Sequence, residues 1–173
     1  QPALDFNGDA MLETFLTVWL VDLVANYAHL VAGREDELDP VLRGQLEEAS
    51  TWPAPRLARA LRELERHRAS VRSVMADYDL LLTPATAVTA FATNQVAPDP
   101  NARTVEAMLA WTPFSFPFNA TGNPAASVPC GFTLAGLPVG LQIVGPLHDD
   151  SLVLRAAASF ERVRPWVDAR PDL

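Results

Sequence analysis

Four residues in the second half of the chain have the types that hydrolytic chemistry uses. They are Ser127 in "NPAASVP", Cys130 three positions later, and the adjacent pair His148 and Asp149. A hydroxyl or thiol becomes a nucleophile when a neighbouring base takes its proton, and a histidine oriented by a carboxylate is a common base of that kind. The plainer reading makes Ser127 and Cys130 strand residues, because a free cysteine behaves as a small buried hydrophobe. Ser127 also lacks the Gly-x-Ser-x-Gly elbow that would aim its hydroxyl outward. The strand reading is preferred.

Other chemistries are excluded more simply. His29, His67 and His148 lie far apart without metal-ligand spacing, so no metal is expected. His67, on a charged helix face, is expected to be exposed. "AGLPVG" has glycines but lacks the Gly-Lys-Ser/Thr of a phosphate loop and leads into a strand. All 13 basic residues are arginine, and arginine clamps anions but does not act as a general base. Lysine-based proton transfer is therefore unavailable to these residues alone. "NAT" at 119–121 matches a glycosylation acceptor, a triplet too common to carry weight.

The elements that would position any site follow from periodicity. Residues 9–32 are apolar on most faces, which predicts a buried helix with Asp9 as cap and Gly33 as stop. Its most apolar window, "FLTVWLVDLVA", is well short of the ~20 residues of a bilayer span, and Asp22 interrupts it. Asp39 and Pro40 open a second helix over 39–49, and "STWPAP" breaks it. A long amphipathic helix runs from Arg56 to about Tyr78, with Arg59–Glu63 and Glu63–His67 as i,i+4 pairs. "DYDLLLTPA" (77–85) holds a short buried strand, 86–103 is loop, and Glu106–Trp111 forms a brief helix. Two period-two runs around "AGLP" make a hairpin, and 149–163 is a capped helix ended by Pro165.

Composition sets the limits. The chain has 173 residues, 49% of them hydrophobic and 20% charged, which are globular values. A net charge of −8 argues against nucleic acid or an anionic membrane surface as partner. One cysteine excludes an internal disulfide and fits a reducing, cytoplasmic compartment. The opening "QPALDFNGDA" has no initiator methionine, which suggests residues belonging to a longer polypeptide.

"YDLLLTPATAV", then "WTPFSFPFNATGNPAASVPCGFTLAGLPVGLQIVGP", then "SLVLRAAASFERVRPW" together resemble the C-terminal part of amidase signature enzymes, from about residue 70 to 166. The resemblance implies an α/β fold: the C-terminal half of a mixed β-sheet with helices on both faces. In this chain that means a helix-rich segment 1–78, with three helices, then a strand, hairpin and helix segment 79–173, together one incomplete domain. It implies hydrolysis of a carboxamide to acid and ammonia or amine, by a serine nucleophile, a bridging serine and a lysine base, with no cofactor. The chain has no lysine and no serine-glycine loop, so no catalytic residue can be assigned within it.

What the resemblance leaves to this chain is a stiff apolar pocket wall, built where glycines allow close packing and prolines fix φ. Thr83, Pro84 and Ala85, with Trp111, Phe114 and Phe118, are the candidate substrate-binding residues, each aromatic having plain core as its alternative. Gln142, in a strand that reads as buried, must find hydrogen-bond partners, and a structural bridge is expected. The expected partners are a small-molecule amide and the N-terminal half of the same enzyme, with a homodimer left open. The wording of 111–127 resembles stand-alone amidases more than the catalytic component of the tRNA-dependent amidotransferases. A fragment of that amidotransferase component, and a non-catalytic binding remnant of the fold, are the competing readings.

Overall fold

The computed structural model describes residues 8–102 and 104–169, which fall into two compact units, 8–70 and 71–169. In the first, helix α1 (Gly8–Val31) is followed by a single 3-10 turn at Glu35–Glu37 and helix α2 (Pro40–Ser50), which packs against α1. The helix α1 already includes Gly8, so Asp9 lies in its first turn rather than before it. Gly33, with φ +78, takes the left-handed conformation that stops the helix. Asp39 caps α2, its carboxylate accepting from the backbone amides of Val41 at 2.9 Å and Leu42 at 3.3 Å.

Two expectations for the helices are corrected. Helix α1 is not buried all round: Met11, Thr14, Leu16, Thr17 and Leu20 are buried, whereas Trp19, Tyr27 and Leu30 are exposed. The segment Ala10–Val31 is also long and apolar enough to cross a bilayer by length and composition alone. Conversely, His67 is buried at 5% exposure, with its Nε2 3.7 Å from Glu63 Oε1. It sits at the edge of the apolar stripe that includes Leu64 and Val71, which the charge pattern alone does not reveal.

Helix α3 (Ala54–Met75) starts earlier than its repeat predicts, because the break is confined to residues 51–53. It crosses the boundary between the units. Glu63 on this helix pairs with Arg66 rather than with Arg59.

The second unit is a three-stranded antiparallel sheet in the order β1-β3-β2. The strands are β1 (Leu81–Pro84), β2 (Ala125–Phe132) and β3 (Pro138–Val144), with the short helices α4 (Val105–Leu109) and α5 (Phe116–Thr121) between β1 and β2. The anticipated hairpin is present, but its alternation is interrupted. The register slips between Pro129 and Gly131, so Cys130 is the extra residue of a bulge. Its thiol donates to the Val139 carbonyl at 3.4 Å.

Helix α6 (Asp150–Val163) covers one face of this sheet, capped by Asp149, which accepts from the Leu152 amide at 3.1 Å. Val128, Ile143 and Val153 form the buried core, with Leu80, Ala126, Leu141, Ala156, Phe160 and Trp166 around it. Gly145 makes the close approach of α6 feasible, since a Cβ there would lie 2.6 Å from Val153 Cγ2.

Candidate functional site

Strand pleating assigns the faces. Leu141 and Ile143 point into the α6 core with Ala126 and Val128, so Gly140, Gln142 and Val144 point to the other face. The register places Thr83, Gln142 and Ser127 side by side in one row across the three strands on that face. Two strands carry a hydroxyl there and the central one an amide.

Gln142 organises this face. It is only 7% exposed, and its Nε2 donates to Thr83 Oγ1 at 2.9 Å and to the Phe114 carbonyl at 2.7 Å. The Thr83 hydroxyl in turn donates to the Pro84 carbonyl at 3.0 Å. Ser115 Oγ donates to the Ala85 carbonyl at 3.3 Å, and the Ala85 amide to the Gly140 carbonyl at 2.9 Å. The bridge expected of Gln142 is thus found, and it joins residues 59 and 28 positions apart in sequence.

Gly140 is required by this packing. A Cβ there would come within 2.8 Å of Ala85 Cβ and 3.0 Å of Ser127 Oγ. With no side chain on β3 at this point, the end of β1 and the Ser127 hydroxyl lie directly over the strand.

The six candidate wall residues separate into four sets. Thr83, Ala85 and Phe114 meet through the bonds just described, whereas Pro84, exposed and paired with Leu141, lies on the α6 face of β1 and not with them. Trp111 is half-buried, its carbonyl accepting from the Ala87 amide at 3.0 Å and its ring meeting Phe91 edge-on at 5.5 Å. Phe118 is 3% exposed within α5, where Phe116, Pro117 and Thr121 are also buried. Helix α5 has no counterpart in the sequence-based reading. Its signals are Pro117 in the first turn and Gly122 with φ +81 just past the end, around only six residues.

The alternative nucleophiles are not assembled into a hydrolytic centre. Among the described residues neither Ser127 Oγ nor Cys130 Sγ hydrogen-bonds to His148, and the Asp149 carboxylate is occupied by the Leu152 amide and the Ser151 hydroxyl. No group of three histidine, cysteine or acidic side chains gathers as metal ligands among the described residues.

Comparison with known proteins bears on this architecture. Residues 10–154 match the family model described as Amidase. An acylamidase of Rhodococcus erythropolis is 48% identical over 99 residues, which is 56% of this chain and 20% of that protein. The A component of the glutamyl-tRNA(Gln) amidotransferase of Brevibacillus brevis is 42% identical over 100 residues, 58% of this chain and 19% of that protein. Among solved structures, a bacterial aryl acylamidase of the amidase signature family superposes with a TM-score of 0.79 at 22% identity, covering 98% of this chain and 38% of that one. A 6-aminohexanoate cyclic dimer hydrolase also gives 0.79, at 25% identity, with coverage of 94% and 36%. The chain therefore spans about a fifth of the length of the curated relatives it matches. The fold is shared with amidase signature enzymes, and the chain belongs to the amidase family.

Proposed function

We propose that these residues form the substrate wall of an amide hydrolase that converts a carboxamide and water to a carboxylate and ammonia or amine. The nucleophile, bridging serine and lysine base are carried by another part of the protein. The observation that carries this reading is the face organised by Gln142, where Thr83, Ala85 and Phe114 from separate segments are held together in a partly open surface. The absence of lysine supports the second half of the claim.

In this reading the wall does three things. Its apolar groups, Ala85 and the Trp111 and Phe114 rings, take up the acyl side of the substrate and exclude water from it, whereas Pro84, on the opposite face of β1, is left out of it. Its stiffness avoids an ordering cost when substrate binds. Phe118 supports the wall from within α5 rather than touching substrate. The strands β1 and β2, both sheet edges here, are where the remainder of the enzyme joins. The ligand is a small amide, and the setting is cytoplasmic.

A second reading, the A component of a tRNA-dependent amidotransferase, is favoured by the 42% identity over 100 residues. The charge of −8 weighs against direct RNA contact by this segment. One experiment separates the readings: assay the longer protein carrying this segment, and the 173-residue chain alone, on aliphatic and aryl amides. Turnover by the longer protein only, without RNA, is expected. Turnover by the isolated chain would overturn the assignment of the catalytic groups, dependence on charged tRNA would favour the second reading, and a soluble longer protein with no turnover would indicate a binding remnant.

A further inference from the structure

We propose that the cleft between α1 and α3 in the helical unit binds a small zwitterion of the α-amino-acid class. The site uses none of the residues of the sheet face and does not depend on the amidase reading.

The cleft encloses about 220 Å³ and is lined by Glu13, Thr14 and Thr17 from α1 and by Arg56, Arg59 and Glu63 from α3. Drug-sized pockets begin at ~300 Å³, so this volume suits a molecule of few atoms. Helical spacing puts each set on one side of its helix. Glu13 and Thr17 are one turn apart, and so are Arg56 and Arg59, with Glu63 a turn further on.

The charges are sorted along the cleft. Arg56 marks one end, where its Nε donates to Thr17 Oγ1 at 3.3 Å and its guanidinium lies over the Trp52 ring at 3.7 Å. From that contact the lining runs back along α1 to Glu13, and along α3 through Arg59 to Glu63. One end therefore carries two guanidiniums and the other two carboxylates. Glu63 is held on its own helix by Arg66. Glu13 and Arg59 have no ion-pair partner among the described residues, although they face one cleft. Thr14, only 5% exposed, likewise makes no hydrogen bond among the described residues. A hydroxyl buried to that degree ordinarily has a partner, and the cleft is where one can be supplied.

Opposite charge at the two ends selects for a ligand that carries both signs. A simple carboxylate gains at the arginines and meets like charge at the glutamates, and a simple amine does the reverse. An α-amino acid satisfies both ends. Its carboxylate lies on Arg59 and Arg56, its ammonium faces Glu13 and Glu63, and the Thr14 hydroxyl donates to a carboxylate oxygen. Arg59 and Glu63, with Cβ atoms about 5–6 Å apart on successive turns, suit the short separation of the two charges.

The test is calorimetric titration of the longer protein carrying this segment with L-alanine, propionate and ethylamine at one ionic strength. Saturable binding of alanine is expected, at least about tenfold tighter than that of propionate or ethylamine. Arg59→Gln and Glu13→Gln, both at exposed positions, should each weaken alanine about tenfold, and Thr14→Val about fivefold, with Tm kept. Absence of saturable alanine binding would overturn the proposal. So would propionate binding as tightly as alanine, or alanine binding that neither charge-removing variant weakens. None of these readouts involves amide turnover, so the functional reading stands or falls separately.

Discussion

The two units use their polar side chains differently. In the helical unit most polar contacts are local: Arg34 with Glu37, Arg66 with Glu63, Arg68 with Glu65, and Asn26 with Asp22 all lie within about one turn. Arg56, which lies over the nearby Trp52 ring at 3.7 Å, also makes a long-range contact, reaching Thr17 at 3.3 Å. In the strand unit the polar contacts cross the sequence. Gln142 reaches Thr83 and Phe114, Ser115 reaches Ala85, and Asn123 donates to the Gly145 carbonyl at 2.9 Å. Local pairs add a few tenths of a kcal/mol to a helix that forms anyway, whereas long-range bonds to buried acceptors fix segments relative to each other. Geometric accuracy is concentrated where the substrate wall is assigned.

Substitutions sharpen this contrast in descending order of effect. Ile143→Ala, which empties the core beneath the sheet, is expected to cost about 2–5 kcal/mol in denaturant unfolding. Gly140→Ala forces Ala85 and Ser127 apart and is expected to cost about 1–3 kcal/mol, with loss of amide turnover exceeding what the stability change explains. A Gly140→Ala protein of unchanged stability would show that the close approach is not needed. Asp149→Ala removes the cap of α6 and should cost about 1 kcal/mol by the same measurement. Glu65→Ala, breaking an exposed local pair, should stay within about 0.5 kcal/mol, and a larger loss would erase the contrast between the units.

The smallest effect is one of pH. The Gly33 amide bonded to Glu35, at 2.9 Å, and Arg34 bonded to Glu37 hold both carboxyls below their ordinary value. Groups lowered in the folded state stabilise it fully above the ordinary carboxylate range, and the gain is lost as pH falls through the lowered values. Protection factors of the 33–38 amides, corrected for intrinsic exchange, should therefore fall on acidification below about pH 4 while those of the β3 amides are kept. Simultaneous loss in both places would contradict the local character of these contacts.

Much of the architecture was legible because its signals are short-range. Asp39-Pro40, Asp149 and Gly33 announce helix ends through their own backbone chemistry, and the alternation around "AGLP" announces the hairpin. Features that depend on contacts distant in sequence were not legible. The burial of His67 and the exposure of Trp19 and Tyr27 depend on what packs nearby, which a one-dimensional charge or apolar pattern does not encode. The bulge at Cys130 shifts a pattern that reads as unbroken alternation. At the candidate site, the need of Gln142 for partners could be read from a polar residue in an apolar strand. That those partners are Thr83 and the Phe114 carbonyl could not.

The central claim is that this chain holds and shapes while another part of the protein attacks. The most direct measurement is covalent labelling of the longer protein with a serine-directed fluorophosphonate, followed by peptide mapping. Stoichiometric, activity-abolishing modification is expected at a serine outside these 173 residues. Modification of the exposed Ser127, with matching loss of amide turnover, would contradict it.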